Sequence, residues 1–287
     1  MYKIAMIGVE NSHAQGFATM LKNDPEKYGD FEIVGVFSYD GKVADKMVED
    51  GLAPFAANCP DYFLGKVDAV INTARHGDNH YEYSMPYIEA GVPMFIDKPF
   101  SVNPQNAKKM IETAREHGAI LRGGSSLKFS ADIMEFKKNL SEGKYGKLLS
   151  ASMSAPIFMD SFYANFHFYA AHLAEMLLIA FDLSDSVHAF AHDEAVVAVA
   201  HYKDFDVSLH YGGYYYSYTA FCENKCFHKE LGNEEKREQL ELDEFCNMIR
   251  TGVQPEPYEK LTASVSLMDA IYLSFRTGGT EQKVIRI

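Results

Sequence analysis

The chain has 287 residues, 47% hydrophobic and 23% charged, the make-up of an ordinary globular protein. At roughly 150 residues per domain it has room for two domains, each able to bury its own core. Forty Asp and Glu against 27 Lys and Arg give a net charge of −13, which repels nucleic acid and anionic membrane; no Lys/Arg run offsets it, and the expected partner is a small molecule.

In chain order, Lys3 to Ile7 is a short apolar run that stops at Gly8. It is too short for the apolar core of a signal peptide, and nothing further on approaches a membrane span, so the cytoplasm is the expected location. Ala14, Phe17, Met20 and Leu21 then recur at helical spacing. Phe31 to Phe37 is a second buried strand, followed by a helix marked by Val43 and Met47. Val67 to Thr73 is a third strand. His80 to Ala90 is helical, with Pro86 expected to kink it or set its start. Val92 to Ile96 is another strand. Asn103-Pro104 supplies a cap and a first-turn proline for a helix with Ala107, Met110, Ile111 and Ala114 on its buried face. Gly118 closes that helix, and Ala119 to Arg122 is one more strand. This alternation predicts a Rossmann-type, doubly wound parallel sheet over residues 1–122.

The character changes after Gly123-Gly124, and a domain boundary is expected between Arg122 and Ser126. Ala131 to Leu140 and Phe166 to Ala180 read as helices. Val187 to Leu231 is mostly strand without intervening helices, which predicts an α/β domain over residues 123–287 with a mainly antiparallel open sheet. Cys222, Cys226 and His228 lie close together within it, but without zinc-knuckle spacing or a second ligand pair. They and the other two cysteines, Cys59 and Cys246, are too sparse for a disulfide framework. Glu10, His13, His76, His80 and His172 show no ligand spacing either, and no metal is expected. Helices near Leu240 to Arg250 and Leu261 to Arg276, and a last strand from Lys283 to Ile287, end the chain.

Two places carry chemistry. In a dinucleotide fold the first strand delivers backbone amides and a helix N-terminus to a pyrophosphate through a GxGxxG loop. Here those six positions read Gly8-Val9-Glu10-Asn11-Ser12-His13. Gly8 makes the turn. Glu10 brings bulk and negative charge where phosphate comes close, and His13 stands where glycine allows tight packing. Asn11 and Ser12 still serve as caps, and a protonated His13 favours an anion. If Glu10 is only an obstacle, Glu10→Gly tightens nucleotide binding; weaker binding gives Glu10 a positive role. At the end of the second strand, where an acid holds the NAD ribose, the chain has Ser38, with Asp40 two residues on. Ser38 tolerates a 2′-phosphate and leans to NADP, although no arginine follows it.

The second place is Asp97-Lys98-Pro99, an acid-Lys-Pro at the carboxyl end of a parallel strand, where ligands bind in such sheets. With it come Thr73 to His80, Leu127-Lys128-Phe129, the helical run Phe168 to Glu175 around His172, and Leu242 to Ser274. In order and spacing these resemble the Gfo/Idh/MocA oxidoreductases, over nearly the whole chain. Ala74 replaces a family proline, Asp97 a glutamate, Lys128 an arginine, Glu175 an aspartate, and Phe168 an aspartate one turn from His172.

The resemblance implies hydride transfer between NAD or NADP and a sugar, polyol or similar small alcohol. It implies a homodimer or homotetramer formed through the C-terminal sheet. Lys98 is the implied acid/base, assisted by His172, with Lys128 beside them at the substrate. Gly8, Glu10, Asn11, Ser12, His13, Ser38, Thr73, His80, Asp97 and Lys98 are the expected cofactor residues. Two other readings stay open: a non-catalytic ligand-binding or regulatory relative, motivated by Glu10, His13, Ser38 and Phe168, and a lyase or hydrolase that uses bound NAD transiently. The aromatics Phe162, Tyr163, Phe166, Phe168, Tyr169, Tyr214 to Tyr216 and Tyr218 read mainly as packing.

Overall fold

A computed structural model describes residues 1–232 and 236–287. They form two compact units. One is Met1–Gly124 with Glu235–Leu261; the other is Ser125–Glu234 with Thr262–Ile287.

The first unit holds strands β1 (Tyr2–Ile7), β2 (Phe31–Phe37), β3 (Ala69–Asn72), β4 (Met94–Ile96) and β5 (Leu121–Gly123), all parallel, in the order β2-β1-β3-β4-β5. Helices α1 (Ser12–Asn23), α2 (Pro25–Tyr28), α3 (Gly41–Glu49), α4 (Gly77–Glu89) and α5 (Pro104–His117) connect them. Short apolar strands buried on both sides are what a parallel sheet covered by helices requires. The order reverses between β1 and β3, so the crevice for a ligand lies outside the carboxyl ends of those two strands. Pro86 sits inside α4 and does not set its start; His76 caps the helix instead, accepting from the Asp78 amide.

A single cut near residue 124 does not describe this unit, because a later helix, α8 (Arg237–Thr251), belongs to it. Leu242, Phe245, Cys246, Met248 and Ile249 join the core built by Ile4, Met6, Phe17 and Phe95. Arg122, 2% exposed, pairs with Glu244 of α8 and with Glu256.

The second unit carries a seven-stranded sheet in the order β11-β10-β6-β9-β8-β7-β12. Its members are β6 (Leu148–Ala155), β7 (Ser186–His192), β8 (Ala195–His201), β9 (Asp206–Tyr211), β10 (Ser217–Cys222), β11 (Cys226–Glu230) and β12 (Gln282–Lys283). Its pairs are antiparallel except β6 with β9, so the sheet is mixed. β6 was not foreseen: its serines alternate with buried Ala151, Met153 and Ala155, none of them β-branched, a weak strand signal. The last strand is Gln282–Lys283, not a run to Ile287. Helices α6 (Ala131–Ser141), α7 (Phe166–Phe181) and α9 (Tyr258–Arg276) supply much of the remaining structure. Residues of α6, α7 and α9 share one core with the inward-facing Val196, Ala198 and Ala200 of β8.

Candidate active site

Gly8 ends β1 with φ +66°, a backbone region that favours glycine. A Cβ there would stand 2.5 Å from the Ala74 Cα, so the β1–α1 turn and the end of β3 approach as closely as glycine allows. Gly8→Ala is therefore expected to cost about 2–4 kcal/mol, from left-handed strain and overpacking together. Thermal or denaturant unfolding measures it, and an unchanged midpoint would contradict it.

After the turn, Asn11 caps α1, its side chain accepting from the His13 amide. Asn11 also donates to Asp97 Oδ2 at 2.9 Å, and His13 Nδ1 donates to the same oxygen at 3.0 Å. Asp97 is fully buried at the end of β4, and its other oxygen accepts from the Lys98 amide at 2.7 Å. One carboxylate thus ties the loop before α1 to the backbone that carries Lys98.

The attraction of Asp97 raises His13 to about 9, against the desolvation of its ring; the hydrogen bond to Asp97 and the charges of Glu241 and Glu238 add to it. His13 is therefore an imidazolium at neutral pH, with Glu238 of α8 3.6 Å from Nε2. Burial alone would raise Asp97, but the charge and hydrogen bond of His13, then Lys98 and His80, hold it well below the usual carboxylate range.

Lys98 is 7% exposed. Burial pushes its pKa down, Asp97 opposes that, Arg75 assists it and Glu241 opposes it; the net direction is downward. A lysine moved this way can exchange a proton closer to neutral pH than an exposed one.

Two of the expected cofactor residues are fully buried and meet backbone carbonyls of the first unit. His80 is fully buried, with Nδ1 2.6 Å from the Pro99 carbonyl and Nε2 2.8 Å from that of Ala74. Burial lowers its pKa, and the ring braces the turn after Lys98 against the end of β3. Thr73, also fully buried, donates from Oγ1 to the Gly8 carbonyl at 3.2 Å, which supports the turn.

Both oxygens of Glu10 are held by neighbouring elements. Its Oε2 accepts from Ser38 Oγ at 3.1 Å, and its Oε1 from the Arg75 amide at 3.1 Å. The residues present therefore suit a dinucleotide: a tight glycine turn after β1, a capped helix whose first turn carries no acid, a cationic His13 and a carboxylate at the ends of β2 and β3.

In the second unit, the Ser125 hydroxyl and His172 Nδ1 are 2.7 Å apart, which orients the ring on α7. Lys128 lies 3.8 Å from Glu175, both nearly buried. Phe168 is 8% exposed and packs against Tyr163 and Tyr169, so an apolar ring occupies the position one turn before His172. The first unit thus gathers Gly8, Glu10, Asn11, His13, Asp97 and Lys98; the second gathers Lys128, His172 and Glu175.

Ser125, Arg75, Glu238 and Glu241 were not foreseen. The two glutamates belong to α8, far along the chain from the loop they influence, and no spacing signals them. Among the described residues no group of three His, Cys, Asp or Glu is placed to hold a metal ion, and no helix is long and apolar enough to cross a membrane. Cys59, Cys222, Cys226 and Cys246 are all free thiols.

The 2,7-anhydro-N-acetylneuraminate hydratase of Mediterraneibacter gnavus is 34% identical over 88 residues, 31% of this chain and 23% of that protein. Matches to the curated relatives take in between 20% and 28% of their length. The structure of myo-inositol 2-dehydrogenase from Lactobacillus plantarum superposes with a TM-score of 0.84 at 14% identity, covering 99% of both chains. That of the WlbA dehydrogenase from Bordetella pertussis, in complex with NADH and UDP-GlcNAcA, gives 0.83 at 17% identity, again over 99% of each. At these identities the structural likeness is one of fold. Residues 2–125 match the model of the Gfo/Idh/MocA oxidoreductase family, NAD-binding Rossmann fold, so it is the first unit's sheet and loops that this likeness covers.

Proposed function

We propose that the protein is a nicotinamide-dependent oxidoreductase that moves a hydride to or from a secondary alcohol carbon of a sugar, polyol or related small hydroxylated substrate. The observation that carries this reading is Lys98, a nearly buried amine at the carboxyl end of β4, its backbone fixed by Asp97. The bound nicotinamide supplies the hydride acceptor or donor. Gly8, the capped start of α1 and His13 would hold its phosphates. Lys98 Nζ takes the hydroxyl proton during oxidation and returns it during reduction. His172, oriented by Ser125, assists at the substrate, and Lys128 binds it.

We further assign the outer face of the seven-stranded sheet to self-association, as a dimer or tetramer. Exposed Phe190, Val197 and Phe221 support this. The free thiols suit a reducing compartment such as the cytoplasm.

The test is a steady-state assay with NAD and NADP against polyols, aldoses and nucleotide sugars. Net nucleotide reduction with at least one class is expected. A second reading has its own observation: Phe168 fills the helix position one turn before His172 with an aromatic ring. A chain that alters the substrate without net nucleotide reduction would be a lyase or hydratase with transient oxidation. One that binds nucleotide and turns over nothing would be a ligand-binding relative.

A further inference from the structure

The end of β2 carries no acid directed at the crevice. Ser38 holds the position where a carboxylate would bind the ribose, and Asp40 turns to another task, accepting from the Lys42 amide at 3.2 Å to cap α3. Yet a carboxylate is present there. The Asp40 amide donates to Ser38 Oγ at 3.2 Å, which leaves the Ser38 proton for Glu10 Oε2 at 3.1 Å. The Arg75 amide fixes the other Glu10 oxygen from the end of β3. Because β1 lies between β2 and β3, Glu10 spans the point where the strand order reverses.

We propose that Glu10 is the cofactor-specificity residue: carried by the phosphate loop instead of by β2, its carboxylate accepts the adenosine ribose hydroxyls and repels a 2′-phosphate, so that the site selects NAD(H) over NADP(H).

A carboxylate offers about four lone-pair sites. The two protein hydrogen bonds occupy two and leave two for a ribose diol. Glu10 is only half-buried, so those sites are reachable. Ser38 alone would tolerate a 2′-phosphate; Ser38 holding a carboxylate does not. The inference rests on the oxidoreductase reading above.

The experiment titrates NADH and NADPH, by nicotinamide fluorescence, into wild-type protein, Glu10→Gln and Glu10→Asp, each first shown to unfold cooperatively at a similar temperature. Wild type is expected to favour NADH by at least about tenfold, as losing a charge-assisted hydrogen bond implies. Glu10→Gln should weaken NADH by about tenfold and bring the two affinities within about threefold of each other. Glu10→Asp, which keeps the charge, should still disfavour NADPH. A wild-type preference for NADPH, or an unchanged NADH/NADPH ratio in Glu10→Gln, overturns the assignment and leaves the oxidoreductase reading intact. Binding of neither nucleotide overturns both.

Discussion

Replacing Lys98 by alanine is expected to lower turnover by about 10²–10⁴-fold while changing nucleotide affinity only a few-fold. In the proposed role as base, the amine lies nearly buried at the carboxyl edge of the parallel sheet, and the loop residues that would hold the nucleotide do not depend on its side chain. Lys98→Arg should fail as well, because a guanidinium does not give up its proton. The pH profile gives an independent readout. Oxidation needs the free amine, so the rate rises as Lys98 loses its proton. Because burial lowers the Lys98 pKa, that rise should level off below the ordinary lysine value of about 10.4. Stopped-flow or steady-state rates across pH measure this. A profile that still climbs beyond the ordinary lysine range, or a Lys98→Ala variant with full turnover, would contradict the role.

The largest stability effect is expected at Asp97. Asp97→Ala takes from the cationic His13 its nearest carboxylate and removes the acceptor for the Asn11 side chain and the Lys98 amide, a loss of about 3–5 kcal/mol. Asp97→Asn, which keeps the shape, should lose less. The pair also predicts a pH window. The folded pKa of His13 is raised above the unfolded value of 6.5 to about 9, so its contribution is whole below pH 6.5 and fades as pH rises through about 9. The folded pKa of Asp97 is depressed, so its contribution is whole above the ordinary carboxylate range and fades as pH falls below it. Denaturant unfolding of wild type and Asp97→Asn from acid to pH 10 measures the window. The difference between the two should be greatest between about pH 5 and 7. A difference that does not vary with pH would show that the ion pair adds nothing.

The strand–helix alternation of the first half was legible because each buried strand is a continuous apolar run bounded by a turn residue. Gly8 and Lys98 were legible because each sits where a parallel strand ends. Glu10 was legible only as a residue out of place. Its bulk and charge suggested an obstacle, since the sequence does not say which way the side chain turns; Ser38 and Arg75, 28 and 65 positions away, decide that. His80 matched a motif but folds inward, because both ring nitrogens meet backbone carbonyls. Helix α8 reads as part of the second half by position, and only the burial of Phe245 and Leu242 in the first core assigns it otherwise. β6 escaped notice because Ala and Ser alternate there in place of branched apolar residues.

The central claim, that Gly8, Asn11, His13 and Asp97 form a working nicotinamide-dinucleotide site that serves Lys98, is tested most directly by calorimetric titration of NADH into the wild-type chain and Lys98→Ala. One nucleotide bound per chain, with affinities within a few-fold of each other in the two proteins, is the predicted result. No binding heat with NADH, NAD, NADPH or NADP across several temperatures would contradict it.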